Sequence, residues 1–571
     1  MKERHRGRRF GAAAPARGLL LLWAAVACAI VAFAAWFVLH ERWIYFWDWS
    51  GYWRGTIDLA HHLRDDWPGA LGKVVHSLRT DDYDLLPVLP LAPATLLFGA
   101  SRLAYVLAIV VLYGLPAAAS IVLFAQRAFL RPLGAAPAAV AAAAATVLLM
   151  PRLWLPILVG LPDVVGCILV PFVWWALRGG VAQLSRRQVA GIGLTLALLV
   201  VLRRWYAYWS AAFLIALVVE AAWTARGRPA LRAAALRIAA IGGVALLVLL
   251  LATGSHGLAM LRTDYRSLYA AYRSTDPLRT AASRLLRDFG ATWLVLAAGG
   301  LYLTLRSART RALARLLLVQ SVVIVVLFTR TQNFNAQHYY LLIPQIAALA
   351  GVCAGALAGL RAPLMRRVAC AVLALVLVGD FATVFVPGVR ARLGPLALAF
   401  SAVTYPPQVR DDLTELARLL RELDERSRAN DDKIYVLSSS VVLNEGIVGD
   451  AHLADPSLPD FGDRILPTSH VDQRDGFPWA LAQARYVVLA EPIGYHLDPA
   501  DQRVIGVPAR ALLTGASIGR AFTRLPGEFI LDAGTHVSIY QRTHDLERQD
   551  LDALGEEIRR PLAAAEPAAA P

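Results

Sequence analysis

Charge is scarce in this sequence. Asp, Glu, Lys and Arg make up only 17% of 571 residues, against 57% apolar residues. A soluble globular chain carries about 25% charged residues, so this composition excludes an ordinary soluble protein. Cysteine is scarcer still. Cys28, Cys167, Cys353 and Cys370 all fall in apolar stretches. That rules out a disulfide framework and a CxxC metal site in the polar part of the chain. There is no Walker A loop and no nucleophile elbow, so ATP-driven transport and hydrolase chemistry of those types lose support. No internal repeat is present.

Long apolar runs are what the chain has in abundance. Mean hydropathy is +0.51, and runs of roughly 18 residues or more recur, the length that crosses a hydrocarbon core of about 30 Å. Met1–Gly18 is basic, with Lys2, Arg4, Arg6, Arg8, Arg9 and Arg17, and Leu19–Leu39 follows. No small-residue cleavage site precedes the aromatic cluster at 43–53, so this segment reads as a retained first helix with a cytoplasmic N-terminus. Further spans are predicted at 103–126, 133–150, 163–177, 188–202, 205–223, 234–253, 290–305, 316–329, 339–360 and 368–387. Residues 40–102 form an outer loop, expected to hold short interfacial helices because Pro87, Pro90 and Pro93 break its apolar end.

Charge supports this arrangement. Residues 388–571 hold 19 Lys and Arg against 27 Asp and Glu, a net of −8, leaving +23 for the first 387. The basic part reads as contact with anionic membrane lipid and as a topology signal, not as a nucleic-acid site. The predicted inner turns carry Arg127/Arg131, Arg178/Arg186/Arg187, Arg226/Arg228/Arg232/Arg237, Arg306/Arg309/Arg311/Arg315 and Arg361/Arg366/Arg367. The outer loops mix signs, as in 254–289 with Asp264, Asp276 and Asp288. The expectation is a polytopic α-helical protein of the cytoplasmic (inner) membrane, with about eleven spans over 1–387. A C-terminal α/β domain over 388–545 should lie on the outer side, with a tail over 546–571 expected to be a frayed helix and then a disordered end. In that domain Val409–Arg428 has helical spacing, Lys433–Ser438 and Tyr486–Ala490 read as buried strands, and Phe522–Leu525 and His536–Gln541 as an antiparallel pair flanking the turn Asp532–Gly534.

Candidate chemistry gathers on the outer face. Asp48 sits in Trp43-Ile44-Tyr45-Phe46-Trp47-Asp48-Trp49-Ser50-Gly51-Tyr52-Trp53. A carboxylate among aromatics can serve as a general base toward a hydroxyl; alternatively the rings form an interfacial belt and Asp48 caps the next helix. His61 and Asp65 share a helix face and could bind metal, or form the wet side of an interfacial helix. Asp81-Asp82-Tyr83-Asp84 could hold a divalent cation or a sugar, or start a helix. Asp163 begins a span, where it could be only a dipole partner. Arg203-Arg204 lies between two apolar runs against the positive-inside trend; either a lipid phosphate binds there or the side chains snorkel to headgroups. Gln332, Asn333, Gln337 and His338, followed by Tyr339, offer hydrogen bonds suited to a sugar or pyrophosphate, although His338 could equally be a satisfied interfacial histidine.

These pieces in this order resemble the GT-C superfamily of membrane glycosyltransferases. The resemblance rests on Trp47-Asp48, Leu85-Leu86-Pro87, Leu161-Pro162-Asp163, Arg203-Arg204-Trp205-Tyr206 and Gln337-His338-Tyr339-Tyr340, with Val436-Leu437-Ser438-Ser439-Ser440 in the polar domain. It implies transfer of a hexose or pentose from a polyprenyl-phosphate donor to a glycan, lipid or protein acceptor, with inversion and with Asp48 as base. Asp82, Asp84, Asp163, Arg203, Arg204, Gln337, His338 and Tyr339 then become substrate-binding candidates. No cofactor is implied as certain, because metal dependence varies across the superfamily. The rival reading is a transporter or flippase of lipid-linked glycan without glycosyl transfer.

Overall fold

The computed structural model describes residues 13–177 and 180–560. The expectations placed on Lys2 to Arg9, on Arg178 and on the last eleven residues lie outside the described residues. A helix lies over every predicted span, beginning with Ala13–Leu39. Among the described residues, seven helices are long and apolar enough to cross a membrane: Arg102–Leu130, Pro137–Leu158, Tyr206–Thr224, Arg228–Arg262, Pro277–Arg306, Arg311–Thr329 and Pro363–Phe385. Trp23–Leu39, Pro162–Ala176 and Ile343–Ala358 are apolar but shorter. The chain is a multi-pass membrane protein.

Two of these helices run past their predicted ends. The predicted spans 234–253 and 290–305 stop and start at bends in longer helices. Gly254 (φ 59°) interrupts Arg228–Arg262, and Gly290 (φ 73°) interrupts Pro277–Arg306. A side chain at Gly290 would strike the Phe400 carbonyl carbon at 2.4 Å, so the bend also lets the chain beyond the last span pass close by. Asp276 caps Pro277–Arg306 by accepting from the Arg279 N–H.

The segment 40–102 folds into short helices, Asp48–Asp65, Trp67–Thr80 and Ala92–Phe98. Asp66 accepts from the Gly69 N–H and starts the second. The first buries Ser50, Tyr52, Trp53, Thr56, Leu59 and Ala60 along one face, the spacing of a half-buried helix.

Beyond the last span, five strands form one mixed sheet: β1 (Ile434–Leu437), β2 (Tyr486–Glu491), β3 (Phe522–Arg524), β4 (Phe529–Leu531) and β5 (Thr535–Arg542). The order is β1-β2-β5-β3, with β4 also on β5. β1 and β2 run parallel, Ile434 opposite Tyr486, and β2 and β5 antiparallel, Tyr486 opposite Gln541. The predicted pair β3–β5 is present. Its partner β4 is an addition: the turn Asp532–Gly534 joins β4 to β5, because Pro526-Gly527 ends β3 earlier. Strand alternation sorts the core. Ile434, Val436 and Val488 face Leu416, Leu419, Leu420 and Leu423 of the helix Leu413–Ser427. Tyr435, Leu437, Val487 and Leu489 face Val504, Ile505 and Leu512 of the helix Arg503–Thr514. The predicted helix start at Val409 is instead extended chain bridged to Arg42. In the tail, Arg548–Arg559 is a helix whose Leu554 joins the second core.

The outer loop is fastened to the sheet layer. Arg42 N–H donates to Gln408 O and Arg410 N–H to Arg42 O, both at 2.9 Å. Ile44 and Phe46 are buried in the first sheet core, each contributing about 1.5–3 kcal/mol. Ile44 and Phe46 before Asp48 are therefore held by the sheet layer, while Tyr52, Trp53, Leu59 and Ala60 after it join the core of the membrane helices.

Candidate functional site

Asp48 is the first residue of its helix, and the residue before it has an unusual backbone. Trp47 has φ 53° and ψ −130°, a left-handed conformation that costs a non-glycine residue about 1–3 kcal/mol. Its ring is held from the sheet side. Trp47 Nε1 donates to Glu445 Oε1 at 3.2 Å, Glu445 Oε1 also meets His470 Nε2 at 2.8 Å, and the indole packs 5.2 Å from His470 and 4.9 Å from His496. Ser50 Oγ donates to Asp450 Oδ2 at 2.5 Å, fixing the first turn from the same direction.

Opposite Asp48 stands Arg203, in the extended break between the helices Arg186–Leu202 and Tyr206–Thr224. Its guanidinium makes three contacts: Nε to Asp163 Oδ1 at 2.6 Å, Nη1 to the Tyr52 hydroxyl at 2.6 Å, and Nη2 to Asp48 Oδ2 at 3.2 Å. The Arg203 and Asp163 side chains are 3% and 2% exposed, whereas Asp48 is 30% exposed. Arg203 is thus aimed inward, which is not the geometry of snorkelling. The accessible member of the triad is Asp48, and it borders a cavity of about 250 Å³ with Trp47, Tyr52, Tyr83, Asp84 and Leu85.

Arg204 turns to different partners. Nη1 lies 2.5 Å from Asp82 Oδ2, Nη2 donates to the Tyr269 hydroxyl, and His256 Nε2 lies 3.7 Å from the other Asp82 oxygen. The guanidinium carbon is 4.9 Å from the Trp205 ring centroid. Tyr83 lies under both arginines, with centroid distances of 4.5 and 5.4 Å. Asp84 accepts from the Leu86 N–H at 2.9 Å, and burial pushes its carboxyl up to about 6.

His338 is buried against Trp205, ring centroids 4.8 Å apart. Burial, with Arg203 and Arg204 nearby, holds its imidazole down at about 3, so it is neutral. Nδ1 accepts from the Asn335 N–H at 3.1 Å, which leaves the proton on Nε2. Among the described residues, His338 Nε2, Trp205 Nε1, Gln332 Nε2 and Arg204 Nε are all buried and lack a hydrogen-bond partner. Buried polar groups are ordinarily satisfied, and these four are all donors.

The structure brings some of the candidate residues together. Asp48, Asp163 and Arg203 meet directly; Asp82 and Arg204 form a second pair; Asp84 lines the Asp48 cavity. Gln337 is half-buried beside His338 and joins none of these hydrogen bonds. Tyr339 points elsewhere, its hydroxyl donating at 2.6 Å to Asp288, which pairs with Arg152. For a metal, no three His, Cys, Asp or Glu side chains converge among the described residues. Tyr52 and Tyr83 were hidden within motifs quoted for their acids. Tyr269, which accepts from Arg204, was missed as well, and nothing in the sequence singled out His256, Glu445 or His470.

No family model matches the chain, and no curated protein matches it. Among solved structures, it is similar to ArnT from Cupriavidus metallidurans in the apo state, with TM-score 0.49 and 14% identity over 92% of this chain and 98% of that one. It is likewise similar to ArnT from the same organism bound to undecaprenyl phosphate, with TM-score 0.48 and 13% identity over 91% and 98%.

Proposed function

We propose that the chain is a GT-C-type membrane glycosyltransferase that moves a sugar from a polyprenyl-phosphate donor to an acceptor hydroxyl at the outer face of the cytoplasmic membrane. The observation that carries this reading is a reachable carboxylate linked through Arg203 and Tyr83 to a neighbouring set of unmatched buried donors. Asp48 supplies the carboxylate; Arg204 Nε, Trp205 Nε1 and His338 Nε2 supply the donors. Acceptor-free donors beside a guanidinium suit phosphate oxygens.

In this reading the two arginines divide the work. Arg203 is fully committed to Asp163, Tyr52 and Asp48, so it orients the base. Arg204 has a spare Nε, and its partner Asp82 is 48% exposed; phosphate displaces Asp82 into water at little cost. Arg204, Trp205 and His338 then stabilise the charge that grows on the departing phosphate. Asp48 takes the proton from the acceptor hydroxyl, whose oxygen attacks the anomeric carbon as the bond to phosphate oxygen breaks. A single displacement inverts that centre. The products are the glycosylated acceptor and polyprenyl phosphate, and no metal is required for the balance. The sheet-bearing part of the chain, on the outer side, fixes Trp47 and thereby Asp48.

The test is to supply the full-length protein in lipid nanodiscs with polyprenyl-phosphate hexoses and pentoses. The reading expects release of polyprenyl phosphate from one donor, with an inverted linkage in the product by NMR. No release from any donor, together with lipid movement across vesicles, overturns it in favour of a flippase.

A further inference from the structure

A much larger cavity, of about 1430 Å³, also borders Trp47, which lines both it and the Asp48 pocket. Its walls come from the start of the outer loop, one face of the helix Asp48–Asp65, and the helices Leu413–Ser427 and Glu445–Ala454. Its volume exceeds the roughly 300–1,000 Å³ of a site for one small molecule. It is polar in an unusual way. Among the described residues, Glu41 Oε2, Glu445 Oε2, and Arg102 Nε and Nη1 are buried atoms with no hydrogen-bond partner. Both donors and acceptors are therefore left over, as a ligand made of hydroxyls would need. The Arg54–Asp450 ion pair, at 3.2 Å, also borders this space, and Trp43 and Trp53 add flat apolar walls. Carboxylates outnumber guanidiniums around it, which disfavours an anionic occupant. Burial holds the Glu41 carboxyl up near about 7, so this group can serve as donor or acceptor.

We propose that this cavity is a second ligand site, which takes a neutral or amino-bearing oligosaccharide as the body of the acceptor. Its role as acceptor rests on the glycosyltransferase reading; its binding of a glycan does not. Indole faces pack against sugar C–H faces while paired carboxylates and guanidiniums engage vicinal hydroxyls. Trp47 then forms the partition past which the terminal sugar reaches Asp48.

Gly449 lines the cavity, and a side chain built there meets only Ile465, at 3.9 Å. Gly449→Trp therefore fills the space without forcing the backbone, and Ala417→Trp does so from the opposite helix. The probes are chitohexaose, hexaglucosamine and hexagalacturonate, titrated by calorimetry into the full chain without donor. Chitohexaose or hexaglucosamine should bind, and hexagalacturonate should not. Both tryptophan variants should bind at least tenfold more weakly, while undecaprenyl phosphate binding stays unchanged. Asp48→Asn should bind the glycan normally. If neither non-acidic hexamer binds, or if both tryptophan variants bind as well as wild type, the proposal is overturned. If the glycan binds as described but no donor is ever turned over, the site stands and the transferase reading falls.

Discussion

Arg203 and Asp163 form an ion pair of 2.6 Å that is almost closed to solvent, and the same guanidinium reaches Asp48 at 3.2 Å. Structure and chemistry are joined at this residue. Removing one member of a buried pair leaves an uncompensated charge, at a cost of about 3–5 kcal/mol. Asp163→Ala should therefore lower thermal stability markedly in detergent. Asp163→Asn, which keeps a hydrogen-bond acceptor for Arg203, should be milder. Equal melting temperatures for wild type and Asp163→Ala would mean that the pair contributes nothing.

Arg204 should behave differently. Its proposed role is to exchange Asp82 for phosphate, so Arg204→Ala should weaken undecaprenyl phosphate binding by about 10- to 100-fold, the worth of one or two charge-assisted hydrogen bonds. Asp82→Asn should bind the lipid no worse than wild type, since it removes a competitor. Equilibrium binding with a fluorescent polyprenyl phosphate reads both.

Asp84 gives a pH dependence with a defined sign. Its carboxyl titrates at about 6 in the fold, against about 3.9 in an unfolded chain. The folded state therefore holds the proton more tightly. This contribution is fully present below about 3.9 and is lost as pH rises through 6. Asp84→Asn should flatten the stability profile between about pH 4 and 7 and raise the melting temperature at pH 7.5. The gain should be no more than about 3 kcal/mol. A variant with the same pH profile as wild type would contradict the burial of this group.

Much of the fold was legible because membrane spans and buried strands carry long, simple patterns. Arg203-Arg204 stood out since two charges between apolar runs have no cheap explanation. Tyr339 sat in the same sequence motif as His338, yet it faces Asp288; neighbouring residues in a tight turn diverge in direction, and spacing alone does not say which one points inward. Glu445 and His470 were out of reach for another reason. They support Trp47 from about 400 residues away, and nothing local marks a glutamate as the partner of a distant indole. The bends at Gly254 and Gly290 show the opposite case, where the apolar pattern located the break but not the helix continuing past it.

Orientation is testable without any substrate. The arginine-rich turns are expected to face the cytoplasm and the sheet to lie outside. Alkaline phosphatase fused after Gln541 should be active in cells, and the same reporter placed in the turn at Arg309 should be inactive. The reverse pattern would put Asp48 on the wrong side for a donor in the outer leaflet.

The account turns on Asp48, and the most direct measurement compares single-turnover release of polyprenyl phosphate by wild type and Asp48→Asn in nanodiscs. The substitution is nearly isosteric and retains an oxygen for Arg203. The account predicts that donor and glycan binding persist while the rate falls at least 100-fold, in keeping with loss of a general base. An Asp48→Asn enzyme that releases polyprenyl phosphate at the wild-type rate would contradict it.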